Sequence, residues 1–292
     1  MPSISNTGSL ANLSKEAIAV IRYTNEHNAV MAALVETHNL GKGEDTMVFP
    51  KAGQVNVRVL NEGEDMSNEQ DLGLTTLIAS TNQVGGYIKL SRRLQRRTSR
   101  SAGNLVRLVA KQFGEGKARL ENIDILGLFS ALNGGNDLGV AGAPFSSANA
   151  MSIIGIAKTD KFGDNLRFVH HPNAIMRLAK DLSTVGSGQI RPIPAGFSAR
   201  VLENYWTGIR LGTVPFFETG DITRDTNDDA RGSIFDKGAL GVLKEAAPRS
   251  TTTYLPRSDT DEMVFRWEWL AFEIDDTKGA GVLLDAVDPT VA

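Results

Sequence analysis

Apolar residues first recur at an approximate helical spacing within residues 15–40. The apolar positions that carry this pattern are Ile18, Ile21, Val30, Leu34 and Val35. The polar residues 25–28 interrupt the spacing, and the residues that precede it are mostly small or polar. We therefore predict an N-terminal arm followed by a short helix.

Two extended patterns follow, one on each side of an acidic segment. Val55, Val57 and Val59 alternate with polar residues as in a half-exposed strand, and residues 72–79 form a second extended run. The residues between them, 61–71, are acidic and rich in turn formers, which predicts a long β-hairpin with a solvated tip. Because an isolated two-stranded ribbon is marginally stable in water, we expect another surface, such as a neighbouring subunit, to support it.

The longest helical pattern spans residues 90–132, where apolar residues recur mainly every three or four positions. A glycine inside a helix costs about 1 kcal/mol relative to alanine. We therefore expect a bend or break where Gly114 and Gly116 interrupt the pattern. The asparagines and glycines at 133–136 predict the end of the helix.

Strands and helices alternate in the second half of the chain. Residues 166–170 are predicted to form a strand, and Pro172 begins a helical pattern that continues to Leu182. A short apolar strand is predicted at 211–217, and a long alternating strand at 263–274. The aromatic residues that share one face of this last strand are Phe265, Trp267 and Trp269. We expect that face to be packed.

The composition is that of an ordinary folded protein. Of the 292 residues, 41% are hydrophobic and 22% are charged, with a formal net charge of -3 and an isoelectric point near 5.9. These values exclude a globally basic nucleic-acid-binding protein, although a local basic surface is compatible with them. The absence of cysteine excludes disulfides, thiolate catalysis and cysteine-ligated metal sites. We find neither an export signal nor a run of ~20 apolar residues, so we expect neither export nor a membrane span.

The strongest local charge feature is a cluster of five arginines within nine residues. They are Arg92, Arg93, Arg96, Arg97 and Arg100. In a helix, four-residue spacing would place Arg92, Arg96 and Arg100 on one stripe. Such a stripe could contact DNA phosphates without sequence preference, pair with carboxylates of its own or a neighbouring subunit, or remain a solvated face.

The acidic residues of the predicted hairpin tip are the obvious partners of opposite sign. They are Glu62, Glu64, Asp65, Glu69 and Asp71. We favour pairing with carboxylates over DNA contact for the arginines. The arginines are therefore predicted to face a neighbouring subunit or DNA, and the acidic tip is predicted to make assembly contacts.

One acidic loop matches a calcium-binding motif in part. Asp225, Asn227 and Asp229 occupy the spacing of the first three calcium ligands. Ala230 stands where the tight turn needs glycine, and Asp236 replaces the bidentate glutamate. We therefore predict a polar surface loop rather than a metal site.

No other motif predicts catalysis or ligand binding. His170 and His171 are adjacent on a predicted strand and should point to opposite faces, so we expect packing rather than metal binding. Lys42, Lys51 and Lys89 lie on or near the predicted hairpin and are expected to form ion pairs rather than isopeptide bonds. Phosphate-binding, dinucleotide-binding, zinc-protease and nucleophile-elbow motifs are absent from the sequence.

The order of these elements resembles the Hong Kong 97 type of capsid protein of tailed, double-stranded-DNA bacteriophages. The likeness spans nearly the whole chain, and its most specific segments are residues 168–172, 211–217, 236–243 and 262–270. It implies an α+β fold with an N-arm, an extended E-loop hairpin, a peripheral domain with a long spine helix, and an axial domain.

The resemblance also implies boundaries for these parts. They are 1–40 for the N-terminal arm and short helix, 41–85 for the E-loop hairpin, 86–140 for the peripheral-domain spine helix, 141–235 for the axial domain, and 236–292 for strands that return to the peripheral domain.

The implied function is that of a major capsid protein, a non-enzymatic subunit that forms the hexamers and pentamers of an icosahedral head around double-stranded DNA. Further implied partners are a portal, cement or decoration proteins, and a scaffolding protein, which the short arm suggests is a separate chain. No cofactor, metal or membrane is implied, and the expected location is the virion after assembly in the host cytoplasm. The alternatives are an encapsulin-like nanocompartment shell and a DNA-associated protein that uses the arginine-rich helix.

Overall fold

The computed structural model describes residues 30–41, 43–44, 46–51, 75–92, 102–184, 210–244 and 248–288. The helices are α1 (Val30–Leu34), α2 (Ala102–Gly127), α3 (Ser147–Thr159) and α4 (Pro172–Thr184). The strands are β1 (Glu36–Asn39), β2 (Thr46–Lys51), β3 (Thr75–Ser80), β4 (Asn82–Ser91), β5 (Leu166–His170), β6 (Arg210–Leu211), β7 (Val214–Glu218), β8 (Asp229–Asp236), β9 (Leu240–Lys244), β10 (Arg249–Leu255), β11 (Thr260–Glu273) and β12 (Gly279–Asp285). They form two five-stranded sheets and a two-stranded ribbon, which confirms the α+β class.

The first sheet is organised around the long strand β11. One edge of β11 pairs with β4, and the other pairs with β10 and then with β9, which β1 extends in parallel. Phe265, Trp267 and Trp269 are buried on one face, as the alternation predicts. Helix α2 packs on this face, where the ring of Phe113 lies 4.3 Å from that of Phe265.

The second sheet has the order β12-β8-β5-β7-β6, with the predicted strand β5 in its centre. The rings of Phe145 and Phe216 stack on Phe168 of β5 at 5.1 and 4.8 Å. Helix α4 begins at Pro172, as predicted. The side chain of Ser146 caps α3 by accepting a hydrogen bond from the backbone N–H of Asn149 at 3.3 Å.

The ribbon pairs β2 with β3 in antiparallel register. This confirms that chain segments on the two sides of the acidic segment pair with each other. The predicted strand at 55–59 and the hairpin tip at 61–71 lie outside the described residues.

The start predicted for the long helix, at Leu90, is wrong. Leu90 and Ser91 belong to strand β4, where Leu90 pairs with Asp261 of β11, so the helix does not begin at Leu90. Alternation in 82–91 is blurred because Gly85 and Gly86 contribute no side chains to either face. The strand becomes evident only from its partner in the sheet.

The break expected at Gly114 and Gly116 is wrong, because α2 continues through both residues, whereas the alternative of a bend stays a prediction. Two glycines cost about 2 kcal/mol in a helix. Burial of a single large apolar side chain contributes a similar amount, and α2 buries several in the hydrophobic core, including Val109 and Ile125.

The α-helix ends at Gly127, before the predicted stop, and a 3₁₀ turn follows at Leu128–Ser130. Right-handed helical backbone ends at the predicted stop, since Asn133 and Gly134 have φ of 56° and 61°.

Two other predictions concern the strand at 211–217 and the short N-terminal helix. The predicted single strand at 211–217 is a tight hairpin of β6 and β7, because Gly212 has φ of +62° and reverses the chain. The predicted short helix is confirmed as α1, whereas the arm before it lies outside the described residues.

Candidate functional site

Arg92 of the predicted arginine stripe lies at the tip of the β10–β11 hairpin. Its guanidinium carbon lies 3.8 Å from the centre of the Tyr254 ring, and its Nη2 lies 3.6 Å from Oδ1 of Asp261. Its backbone N–H donates to the carbonyl of Asp259 at 3.0 Å. Residues of the same chain therefore hold Arg92 through a cation–π contact, an ion pair and a backbone hydrogen bond.

The other four arginines of the cluster and all five acidic residues of the predicted hairpin tip lie outside the described part of the chain. They are Arg93, Arg96, Arg97 and Arg100 on the arginine side, and Glu62, Glu64, Asp65, Glu69 and Asp71 on the hairpin tip. The contacts predicted for these residues, with a neighbouring subunit or with DNA, therefore stay predictions. The sequence did not indicate Tyr254 and Asp261 as partners of Arg92, because the β10–β11 pairing brings them to it from far along the chain.

The ribbon has one packed face and one exposed face. Phe49 packs inward, with its ring 4.9 Å from the ring of Phe272, and Met47 packs against the same cluster. On the opposite face, Val48 and Ile78 are directly paired across the strands and are 54% and 66% exposed. A paired apolar surface of this exposure is a candidate contact for another protein surface.

The lysines near the ribbon form ion pairs, as predicted for Lys51 and Lys89. Nζ of Lys51 lies 2.7 Å from Oδ1 of Asp275, and this hydrogen bond raises the pKa of Lys51. Nζ of Lys89 lies 3.9 Å from Oε2 of Glu262. Lys42 lies outside the described residues.

A buried charge cluster joins α2 to β9. Nζ of Lys117 lies 2.7 Å from Oε1 of Glu121 as a close ion pair, and Nζ of Lys244 lies 3.4 Å from its Oε2. Lys117 is 8% exposed and Glu121 is 1% exposed. Burial lowers the pKa of Lys117, although Glu121 opposes this effect. We did not predict this cluster, although Lys117 and Glu121 fall four residues apart on the buried stripe of α2.

His170 and His171 occupy different environments, as predicted for neighbours on a strand. His170 is fully buried against Phe145, with ring centres 5.7 Å apart. Burial lowers the pKa of His170 to about 4, and the backbone of Val282 only partly offsets this effect. Nδ1 of His171 accepts a hydrogen bond from the backbone N–H of Asn173 at 3.2 Å. The side chain of His170 therefore packs in the core, and that of His171 makes a local hydrogen bond.

The acidic loop before β8 uses its carboxylates to order its own backbone. Oδ1 of Asp225 accepts hydrogen bonds from the backbone N–H groups of Asn227 and Asp229 at 2.8 and 2.9 Å. Oδ1 of Asp229 accepts from the backbone N–H of Gly142 at 2.7 Å. These contacts fit the predicted polar loop. Across the described ranges, His, Asp and Glu side chains form no cluster of three or more that could hold a metal ion.

Comparisons with known proteins identify the fold but no sequence relative. No protein-family model and no curated protein matches the sequence. The capsid of Ralstonia phage GP4 matches with a TM-score of 0.63 at 12% identity over 89% of each chain. The capsid of a native GTA particle matches with a TM-score of 0.63 at 14% identity over 89% of this chain and 91% of that one.

An encapsulin complex from Synechococcus elongatus also matches, with a TM-score of 0.60 at 13% identity over 88% of this chain and 87% of the encapsulin. Among the described residues, no helix is long and apolar enough to cross a membrane. The fold of this chain thus agrees with each compared structure over 87–91% of both chains. The chain has the Hong Kong 97 type of shell-protein fold.

Proposed function

We propose that this chain is the major capsid protein of a tailed, double-stranded-DNA bacteriophage. The proposal is supported above all by the agreement of fold along 87–89% of the chain with subunits of phage capsids. The chain acts as a non-enzymatic building block that forms hexamers and pentamers of an icosahedral head. Its parts correspond to an N-arm, an E-loop hairpin, a peripheral domain with the spine helix α2, and an axial domain around β5.

The exposed face of the ribbon supports the proposal that the chain assembles with copies of itself. Two-stranded ribbons are marginal in water unless another surface covers them. In this chain only the inner face of the β2–β3 ribbon packs against the rest of the subunit, which leaves Val48 and Ile78 on the other face exposed. A shell subunit buries such a surface against a neighbouring subunit. Around a closed ring of subunits, the same contact between two unlike surfaces then repeats at every subunit.

The second candidate is the shell of an encapsulin-like nanocompartment, which the match to the encapsulin complex favours. The two functions share the fold and the assembly behaviour. They differ in contents, because a phage head encloses double-stranded DNA and a nanocompartment encloses a cargo protein.

The test is expression of the full chain alone and together with the products of its neighbouring genes, including any scaffolding protein. Light scattering and electron microscopy of the purified protein should show closed shells. A protein that remains monomeric under all these conditions contradicts both shell functions. Native particles that carry a tail and DNA support the phage head, whereas tailless particles filled with one protein support the nanocompartment.

A further inference from the structure

The face of the first sheet that points away from α2 is open along β4, β10 and β11. We call this surface the outer face. Its residues, as the strand register aligns them, are Thr253, Glu262 and Lys89 in one row, Thr251, Val264 and Tyr87 in the next, Arg249, Arg266 and Gly85 in the third, and Glu268 with Gln83 in the fourth. Tyr87 is 66% exposed, and Arg249, Thr251 and Arg266 are also exposed. Exposed Tyr and Arg side chains on one surface are typical of protein–protein interfaces.

Two arginines face each other directly in this surface. Arg249 and Arg266 are cross-strand partners, and like charges in this position destabilise a sheet. Arg249 has another interaction within the chain. Among the described residues, no ion pair reaches Arg266. Arg266 is therefore the guanidinium that is available for an added anion.

The absence of a side chain at Gly85 lets the Arg266 side chain lie close to β4. A Cβ at Gly85 would lie 2.5 Å from the carbonyl oxygen of Phe265 and 3.3 Å from Cγ of Arg266. The aliphatic part of Arg266 thus lies close over the bare backbone of β4.

A cleft of about 120 Å³ lies between the two arginines. Gln83, Thr251 and Glu268 also line it, so amide, hydroxyl and guanidinium donors face a single space. The carboxylate of Glu268 accepts a hydrogen bond from the hydroxyl of Thr81 at 3.4 Å. Since a liquid water molecule occupies about 30 Å³, the cleft has room for a carboxylate and a few waters.

We propose that Arg266, supported by Arg249, binds an Asp or Glu side chain of a second copy of this chain. Arg266 forms no ion pair with any described residue, so one carboxylate of the partner supplies its counter-charge at the cleft that Arg266 lines. The partner copy is itself acidic overall, with 34 Asp and Glu against 31 Lys and Arg. The inference rests on the proposed shell function and names one contact by which its subunits join.

A nucleic-acid backbone fits this surface less well than a single carboxylate. Duplex DNA carries one negative charge per ~1.7 Å of its axis and needs a run of cations. On the outer face Glu262 and Glu268 stand among Lys89 and the two arginines, so an extended polyanion would meet carboxylates as well as cations.

The test compares wild type with Arg266→Gln and Arg266→Glu under conditions in which the wild type forms shells. The matched control is Arg119→Gln, which removes the same charge from an exposed position on α2, on the other side of the sheet. We expect the yield of shells to fall at least about tenfold for Arg266→Glu and less for Arg266→Gln, with Arg119→Gln close to wild type. Thermal unfolding of the unassembled subunits should differ little among the four proteins, which separates assembly from folding.

The structure of the assembled wild-type shell provides the second readout. A carboxylate oxygen of a neighbouring subunit within 4 Å of the Arg266 guanidinium supports the proposal. Normal shell yield from Arg266→Glu, or a DNA phosphate at this position, overturns it while leaving the shell function intact. Failure of the wild type itself to form shells contradicts the shell function and this contact together.

Discussion

At the scale of single residues, the buried Lys117–Glu121 pair, which Lys244 of β9 also contacts, contributes to the stability of the subunit. Removing one member of a buried pair leaves an uncompensated charge in a poorly solvated place, which is far costlier than breaking a surface pair. Helix α2 offers a matched comparison, since Lys111 and Glu115 form an exposed pair at the same spacing with 3.7 Å between Nζ and Oε1.

We therefore predict that Glu121→Gln lowers the free energy of unfolding by about 3 kcal/mol, because two lysines then share a buried site without a counter-charge. Glu115→Gln should cost less than about 0.5 kcal/mol. Urea denaturation of the unassembled subunits measures both. Equal effects from the two variants would show that the cluster is solvated in solution.

His170 makes a pH-dependent contribution to stability. Burial lowers its pKa to about 4 in the folded chain, against 6.5 for an ordinary histidine. As pH falls below about 6.5 the unfolded chain takes up the proton first, so the folded state loses stability until the pH reaches about 4. Above pH 6.5 the contribution is constant.

We predict that His170→Phe removes this dependence, so that about 3 kcal/mol of acid destabilisation between pH 7 and pH 4 disappears. The measurement is the slope of unfolding free energy against pH, which does not depend on how well Phe packs. His171→Asn is the control and should change the slope less, because His171 is only half-buried. A wild-type slope in His170→Phe would contradict the burial argument.

At the scale of elements, the contact between α2 and the first sheet depends on a glycine. A Cβ at Gly86 would lie 2.5 Å from Cε1 of Phe113, whose ring packs on Phe265. The absence of a side chain at Gly86 thus lets the helix approach the sheet closely. The glycine that weakens the strand pattern in the sequence is the one that packing requires.

We predict that Gly86→Ala destabilises the subunit by about 1–3 kcal/mol, because Phe113 must move from its place in the core. Gly116→Ala is the matched control, since a Cβ there meets no atom within 4 Å and alanine favours the helix. It should stabilise the subunit by about 0.5–1 kcal/mol. Thermal unfolding of the two variants should therefore shift in opposite directions, and a gain from both would refute the close contact.

At the scale of the whole molecule, the two sheets form a self-sufficient core while the ribbon carries an exposed apolar pair. Val48 and Ile78 contribute little to the core of their own subunit, since their side chains point away from Phe49 and Phe272. Their proposed role is therefore in contacts between subunits.

We predict that the double substitution of Val48 and Ile78 by serine leaves the unfolding free energy of the subunit within about 0.5 kcal/mol of wild type. The yield of assembled shells, counted by electron microscopy, should fall strongly. Met47→Ser is the contrasting variant, because it weakens the inner face and should lower subunit stability. Normal assembly of the double variant would show that the exposed face of the ribbon makes no contact that assembly needs.

The sequence by itself determined the elements whose periodicity is strong and local. The strand at β5, the helix from Pro172 and the aromatic face of β11 were all predictable, because alternation and helical spacing follow from backbone geometry within a few residues. The order of these elements was sufficient to indicate the fold class and the shell-protein architecture.

Only the tertiary structure decided the features that depend on residues far apart in the chain. Strand β4 was missed because its glycines blur the alternation, and it is defined by its ladder with β11. The ion pair of Lys244 on β9 with Glu121 on α2, and the cation–π contact of Arg92 with Tyr254, likewise arise where separate elements meet. Local patterns carry no information on which distant surface completes a site, because that choice is made by sheet register and by close packing.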